Sequence, residues 1–134
     1  MIEIGEEEIS LDRMIQRVRR NEAGAVVSFL GTVRDDGILG MKVEAFRDPA
    51  LSEMEAIRQE AMSRFSLTAA EVSHRTGRLA VGESILAIVC SAAHREEAFS
   101  GCRYILEELK ARAPLWKKEI SSDGGGHWVE GHGR

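Results

Sequence analysis

The chain has 134 residues, of which 43% are hydrophobic and 30% charged, with 18 basic against 22 acidic side chains and a formal charge of -4. This length suits one domain, spanning 1–134, that buries a core without disulfide or metal staples. The acidic balance excludes a general nucleic-acid binder, which needs many cations free to displace counterions.

The first ten residues, MIEIGEEEIS, are acidic where a signal peptide would be basic and then apolar. No run reaches the roughly 18 apolar residues of a membrane span, so a cytoplasmic protein without membrane contact is expected. Met1 to Ile4 reads as a short edge strand. Ser10 is placed to cap a helix whose apolar stripe is Leu11, Met14, Ile15 and Val18. Arg17, Arg19 and Arg20 suit its C-terminal end and read as a solvated basic face.

Gly24 breaks that pattern. Ala25 to Arg34 (AVVSFLGTVR) then predicts a strand buried on both faces over much of its length. Gly31 inside it predicts a bulge or a close approach to the backbone. Arg34 emerges at the strand's end beside the loop DDGILG, and loops at strand ends carry function disproportionately. Lys42 to Phe46 can return as a partner strand. Asp48 and Pro49 then suit the cap and first position of a helix from Ala50 to Phe65. Its Leu51, Met54, Ile57, Ala61 and Phe65 share one face, which makes it a cover for a sheet.

Three extended segments follow, Glu71 to Thr76, Arg78 to Val81 and Ser84 to Ala92, with turns at Gly77 and Gly82-Glu83. His74 alternates with Val72 and reads as a satisfied structural histidine rather than a ligand. Cys90 and Cys102 stand alone in apolar stretches, with no CxxC and no histidine at metal-ligand spacing, and read as buried thiols.

Ala93 to Glu119 (AHREEAFSGCRYILEELKARAPLWKKE) concentrates the polar chemistry. Ala98, Cys102, Ile105, Leu106 and Leu109 give a helical stripe. Glu96 and Glu97 occupy the first turn and Lys110 and Arg112 the last, each sign at the end that the helix dipole favours. Pro114 forbids further helix. Beyond it the period becomes two, with Trp116 and Ile120 on one side and Leu115, Lys117 and Glu119 on the other, so a strand is predicted. SSDGGG makes a turn, and His127 to Glu130 can pair back. The glycines lack the order of a phosphate loop and lead into no helix. His127 and His132 flank a glycine-rich tail read as a disordered terminus rather than a metal site. Three helices among about seven strands give an α+β fold, a mixed or antiparallel sheet with about three covering helices, and not a doubly wound one.

Arg34, His94, Arg95, Lys110, Lys117 and Lys118 together suit an anionic, phosphorylated substrate. Arginine offers a planar fork to phosphate oxygens, and a partly buried lysine can work as acid or base. Lys110 follows His94 by 16 residues, roughly 24 Å along one helix at about 1.5 Å per residue. One small molecule cannot touch both within one chain. Either they serve different sites, or a two-fold dimer brings His94 and Arg95 of one subunit to Lys110 and Lys117 of the other. The dimer is the expected case.

The segments FLGTVR (29–34), HRTG with VGE (74–83), SAAHREEAF (91–99), LKARAPLWKKE (109–119) and DGGGHWVE (123–130) resemble, in the same order, the large catalytic subunit of molybdopterin synthase, the MoaE family. The resemblance implies an α/β hammerhead fold. It implies a sulfurtransferase that converts cyclic pyranopterin monophosphate (precursor Z) into molybdopterin by inserting two sulfurs as a dithiolene. The sulfur would come from the C-terminal thiocarboxylate of a ubiquitin-like, MoaD-like small subunit, in a heterotetramer built on a homodimer of this chain. No metal or cofactor is implied for this step. By match to the motifs, Lys110 and Lys117 would be catalytic. Arg34, His94 and Arg95 would contact phosphate and pterin, with Thr32, Val33, Lys118 and Glu119 lining the same pocket. A non-catalytic relative that binds a ubiquitin-like partner or an anionic small molecule is the alternative. Two places depart from the pattern. Asp48-Pro49-Ala50-Leu51 replaces an acidic and then an aromatic residue, and His132 stands at the spacing of a C-terminal arginine.

Overall fold

A computed structural model describes residues 1–122 and 125–129 of the chain. His132 and the end of the predicted last strand at Glu130 lie outside them. The elements in order are β1 (Ile2–Gly5), α1 (Leu11–Val18), β2 (Ala25–Thr32), β3 (Gly40–Ala45), α2 (Arg47–Arg64), β4 (Leu67–Arg75), β5 (Gly77–Ala80), β6 (Ser84–Ala92), α3 (Arg95–Arg112), β7 (Leu115–Ile120) and β8 (Gly126–Trp128). The α+β class is as expected, but the strands form two four-stranded sheets, ordered β1-β4-β6-β2 and β5-β3-β7-β8.

In the first sheet β4 and β6 are central; the apolar run of β6 is buried on both faces, as such a run requires, and β4 is mostly buried with Glu71, His74 and Arg75 among its buried residues. α2 and α3 cover one face: Met54, Ile57 and Ala61 of α2 and Ala98, Cys102 and Ile105 of α3 close on Val72, Ile88 and Cys90. α1 covers part of the other, where Met14 and Val18 pack on Ala87 and Val89. Ser10 caps α1 as predicted, its side chain accepting from the Arg13 amide. Arg17 is not simply solvated, because its guanidinium pairs with the buried Glu71 at 2.8 Å and ties α1 to β4.

Three expectations need correction. β2 is not buried on both faces. Its burial alternates, with Val26 and Leu30 exposed, because it is an edge strand that α1 leaves partly uncovered. β3 does not return beside β2. It pairs with β5 and β7 in the second sheet, a choice set by long-range register rather than by local sequence. α2 starts at Arg47 with Phe46 as its N-cap, so Asp48 and Pro49 lie inside the first turn, where an anion suits the dipole and a missing N–H costs nothing.

The bulge expected at Gly31 is present as a register shift between Gly31 and Thr32 against β6. Cys90 and Cys102 are free and buried. The Cys102 sulfur beside it, together with burial, pushes the Cys90 thiol up, which suits an inert structural role. Among the described residues no helix is long and apolar enough to cross a membrane.

Candidate functional site

The two lysines singled out above sit on different elements and meet in one cavity. Lys110 lies in the last turn of α3. The chain stops its helix before Pro114 and turns back as β7, whose alternation sends Leu115 and Lys117 inward. A cavity of about 400 Å³ results, lined by Lys110, Lys117, Glu119, Thr32, Arg34 and Gly31 among others. Its apolar walls are Phe29, Ile38, Met41, Ile85, Leu86 and Leu106.

Lys117 is only 9% exposed. Burial first, and then the Lys110 charge, lower its ammonium from the usual lysine range to about 8. It is therefore a cation at neutral pH that can release its proton with modest driving force. Beneath it lies His74, on β4 next to Leu86 of β6. Its Nδ1 lies 2.8 Å from the Arg75 carbonyl oxygen, to which the Nδ1–H donates. Burial, with a further contribution from the Lys117 charge, lowers its pKa to about 4, so it stays neutral, the structural histidine expected. His127 Nε2 lies 2.9 Å from a Glu119 carboxylate oxygen across the β7–β8 pair. His127 thus belongs to a strand, not to a loose tail. Arg34 is largely exposed at the cavity mouth, where Asp36 holds its Nε at 3.0 Å.

The other candidates are elsewhere. Val33 is buried, its amide donating to the Glu83 carbonyl, and only its neighbours reach the cavity. Lys118 points to the opposite face of β7, its ammonium 5.6 Å from the centre of the Trp128 ring. His94 is the N-cap of α3 and Arg95 its first residue, at the far end of the helix from Lys110. They line a separate hollow of about 510 Å³ with Gly24, Ala93, Glu96 and Glu97. The helix length thus separates the two groups as the spacing requires. A further hollow, about 630 Å³ between β1 and α1, includes none of these residues, and its Arg17 is already neutralised by Glu71.

Sequence reasoning missed the apolar walls and the Asp36 contact. Phe29 and Gly31 lie on one face of β2, a period-two signal visible in the sequence. Ile38, Met41 and Leu86 come from a loop and two strands whose meeting depends on the tertiary fold.

A cavity with apolar walls, two lysines and an arginine at its mouth has the chemistry to suit a small anionic molecule. The family model described as "MoaE protein" matches residues 4–112, and the chain belongs to the MoaE family. It is 44% identical over 130 residues to the molybdopterin synthase catalytic subunit of Pyrococcus abyssi, an alignment covering 93% of this chain and 86% of that one. Among solved structures it is similar to molybdopterin synthase from Staphylococcus aureus, with a TM-score of 0.88, 29% identity and 94% of each chain covered. A molybdopterin biosynthesis MoaE protein from Burkholderia ambifaria superposes with a TM-score of 0.84 and 34% identity, covering 98% of this chain and 88% of the other.

Proposed function

We propose that this chain, as one domain over 1–134, is the catalytic subunit of a cytoplasmic molybdopterin synthase, a sulfurtransferase acting on cyclic pyranopterin monophosphate. The observation that carries the reading is the convergence of Lys110 and Lys117 on one cavity, with Lys117 buried and its ammonium lowered to about 8.

The chemistry follows from those groups. The thiocarboxylate at the tail of a ubiquitin-like small subunit enters the cavity, and its sulfur attacks a pterin side-chain carbon. A carbon–sulfur bond forms as that carbon's bond to its oxygen substituent breaks, the oxygen takes a proton and departs, and the sulfur keeps its acyl group as a thioester. Water then adds to the acyl carbonyl, and the charge that develops on oxygen falls beside the two ammonium groups. When the acyl–sulfur bond breaks, the tail leaves as a carboxylate and the sulfur stays on the pterin as a thiolate. Lys117, with a pKa near the working pH, can supply or take the protons of these steps. Arg34 at the mouth suits the substrate phosphate.

His94 and Arg95 join this site through a second copy of the chain. β2 is an edge strand that begins beside the His94 hollow at Gly24 and ends at the lysine cavity with Gly31 and Thr32. Pairing two β2 edges antiparallel about a two-fold axis near Ser28 sets each hollow against the partner's cavity and covers Val26 and Leu30.

The test mixes the purified chain with a thiocarboxylated small subunit and precursor Z, and looks for the dithiolene product. Wild type should form product, and Lys110→Ala should lower the rate about 100-fold or more, as for loss of one oxyanion-stabilising group. A wild type that binds the small subunit and forms no product would overturn the enzyme reading in favour of a non-catalytic relative.

A further inference from the structure

Glu119 takes no part in the steps above, yet it faces the same cavity as Lys117, since the two are separated by one residue on β7. Two carboxylates line that cavity among the described residues, and Asp36 is taken up by Arg34 at 3.0 Å. Among the described residues Glu119 pairs with neither cavity lysine. It is held from the other side, where His127 Nε2 lies 2.9 Å from its Oε1. The register sets the two side by side on β7 and β8, in a row that runs from Met41 on β3.

An ionised carboxylate only accepts hydrogen bonds, so Nε2 carries the hydrogen between them. One oxygen of Glu119 is thereby fixed, and the other keeps its lone pairs for the cavity. The His127 side chain is 70% exposed and that of Glu119 only 23%, which puts the ring on the solvent side and the carboxylate on the inner side. Two residues along a strand advance about 6.7 Å, so the Lys117 ammonium and Glu119 flank room for one carbonyl group and one water. Cleaving a thioester with water needs both kinds of group at once. A cation must hold the oxyanion while a base takes the proton of the attacking water. Lys117 cannot do both in the same step, because the proton that makes it a cation leaves it no lone pair.

We propose that Glu119 is the base that activates the water for cleavage of the acyl–sulfur bond, and that His127 is a positioning residue that holds it. The inference rests on the function proposed above. The water oxygen bonds to the acyl carbon while its proton passes to the free oxygen of Glu119, and the carbonyl electron pair moves onto oxygen beside Lys117. That pair then returns, the carbon–sulfur bond breaks, and the sulfur leaves as a thiolate on the pterin. The carboxylic acid formed on the tail and the protonated Glu119 each release a proton to solvent.

The test follows a single turnover of thiocarboxylated small subunit and precursor Z by acid quench and intact mass. Glu119→Gln should still form the first carbon–sulfur bond but cleave the thioester about 100-fold more slowly, so that small subunit joined to pterin accumulates. His127→Ala should slow the same step about tenfold with the small subunit's KM unchanged, as for loss of a hydrogen bond to a charged group. His127→Gln, whose amide can still donate, should recover most of that loss. Because His127 is exposed, its variants decide the matter if Glu119→Gln does not fold by circular dichroism. Folded variants that cleave the adduct at the wild-type rate, or that bind both substrates and form no adduct, overturn the assignment while wild-type turnover leaves the function standing. A wild type that forms neither adduct nor product overturns the function itself.

Discussion

Lys117 and His74 are both buried bases held at lowered pKa values, and each makes pH a direct probe of the site. If the Lys117 ammonium stabilises the acyl oxyanion, turnover should fall as pH rises through about 8, where that proton is lost. Lys117→Arg, charged at all accessible pH values, should remove this basic limb even if its rate is lower, which a kcat–pH profile would show. The same burial opposes folding. The unfolded chain binds a proton that folded Lys117 gives up between about 8 and 10.5, so stability from this group rises with pH across that window. At pH 7, Lys117→Met should therefore stabilise the fold by on the order of 1 to 3 kcal/mol while abolishing turnover, measured by denaturant titration beside the activity assay. His74 acts at lower pH. Because its folded value is about 4 against 6.5 for the unfolded chain, the unfolded state takes up the proton first, and stability should be lost as pH falls from about 6.5 to 4. In a His74→Gln variant that slope should flatten, even if the variant is less stable throughout. Lysine and histidine in the sequence announce titratable groups, but burial by residues far along the chain sets where they titrate.

At the scale of elements, α3 and β2 position the chemistry by their ends. α3 holds His94 and Arg95 at one terminus and Lys110 at the other, a separation legible from residue count and rise alone. The entry to β2 fixes the first of these. Gly24 donates to the Ala92 and Ala93 carbonyls at 3.0 and 3.2 Å, and a Cβ at this position would lie 2.5 Å from the Ala93 oxygen. Since that neighbour is backbone and cannot swing aside, Gly24→Ala should cost about 1 to 3 kcal/mol. It should also raise KM for the pterin by shifting His94, which a denaturation midpoint and initial rates together would register. Local signals found α1 with its Ser10 cap, the stop at Pro114 and the alternation that puts Lys117 and Glu119 on one face. They misjudged β2, because an apolar edge strand and an apolar central strand look alike until the neighbours are known.

For the whole molecule, the proposed dimer makes a prediction that subunit exchange can check. If each site combines the lysines of one subunit with His94 of its partner, mixing inactive Lys110→Ala and His94→Ala chains after subunit exchange should restore about a quarter of wild-type activity. Half the dimers would be mixed, and each of these would hold one intact site of two. No recovery, with exchange verified by mass, would place each site within one chain. The sequence by itself determined the helices and their buried stripes, the α+β class, the family motifs and the separation of His94 from Lys110, because each is written in spacing along a few turns or in short strings. Only the tertiary structure decided that β3 belongs to a second sheet, that β2 is left as an edge, and that Lys117 is enclosed while its neighbour Lys118 faces out beside Trp128. Strand partners and burial are sums over residues distant in the chain, and a period of two or 3.6 carries the orientation of a side chain but not what will stand opposite it.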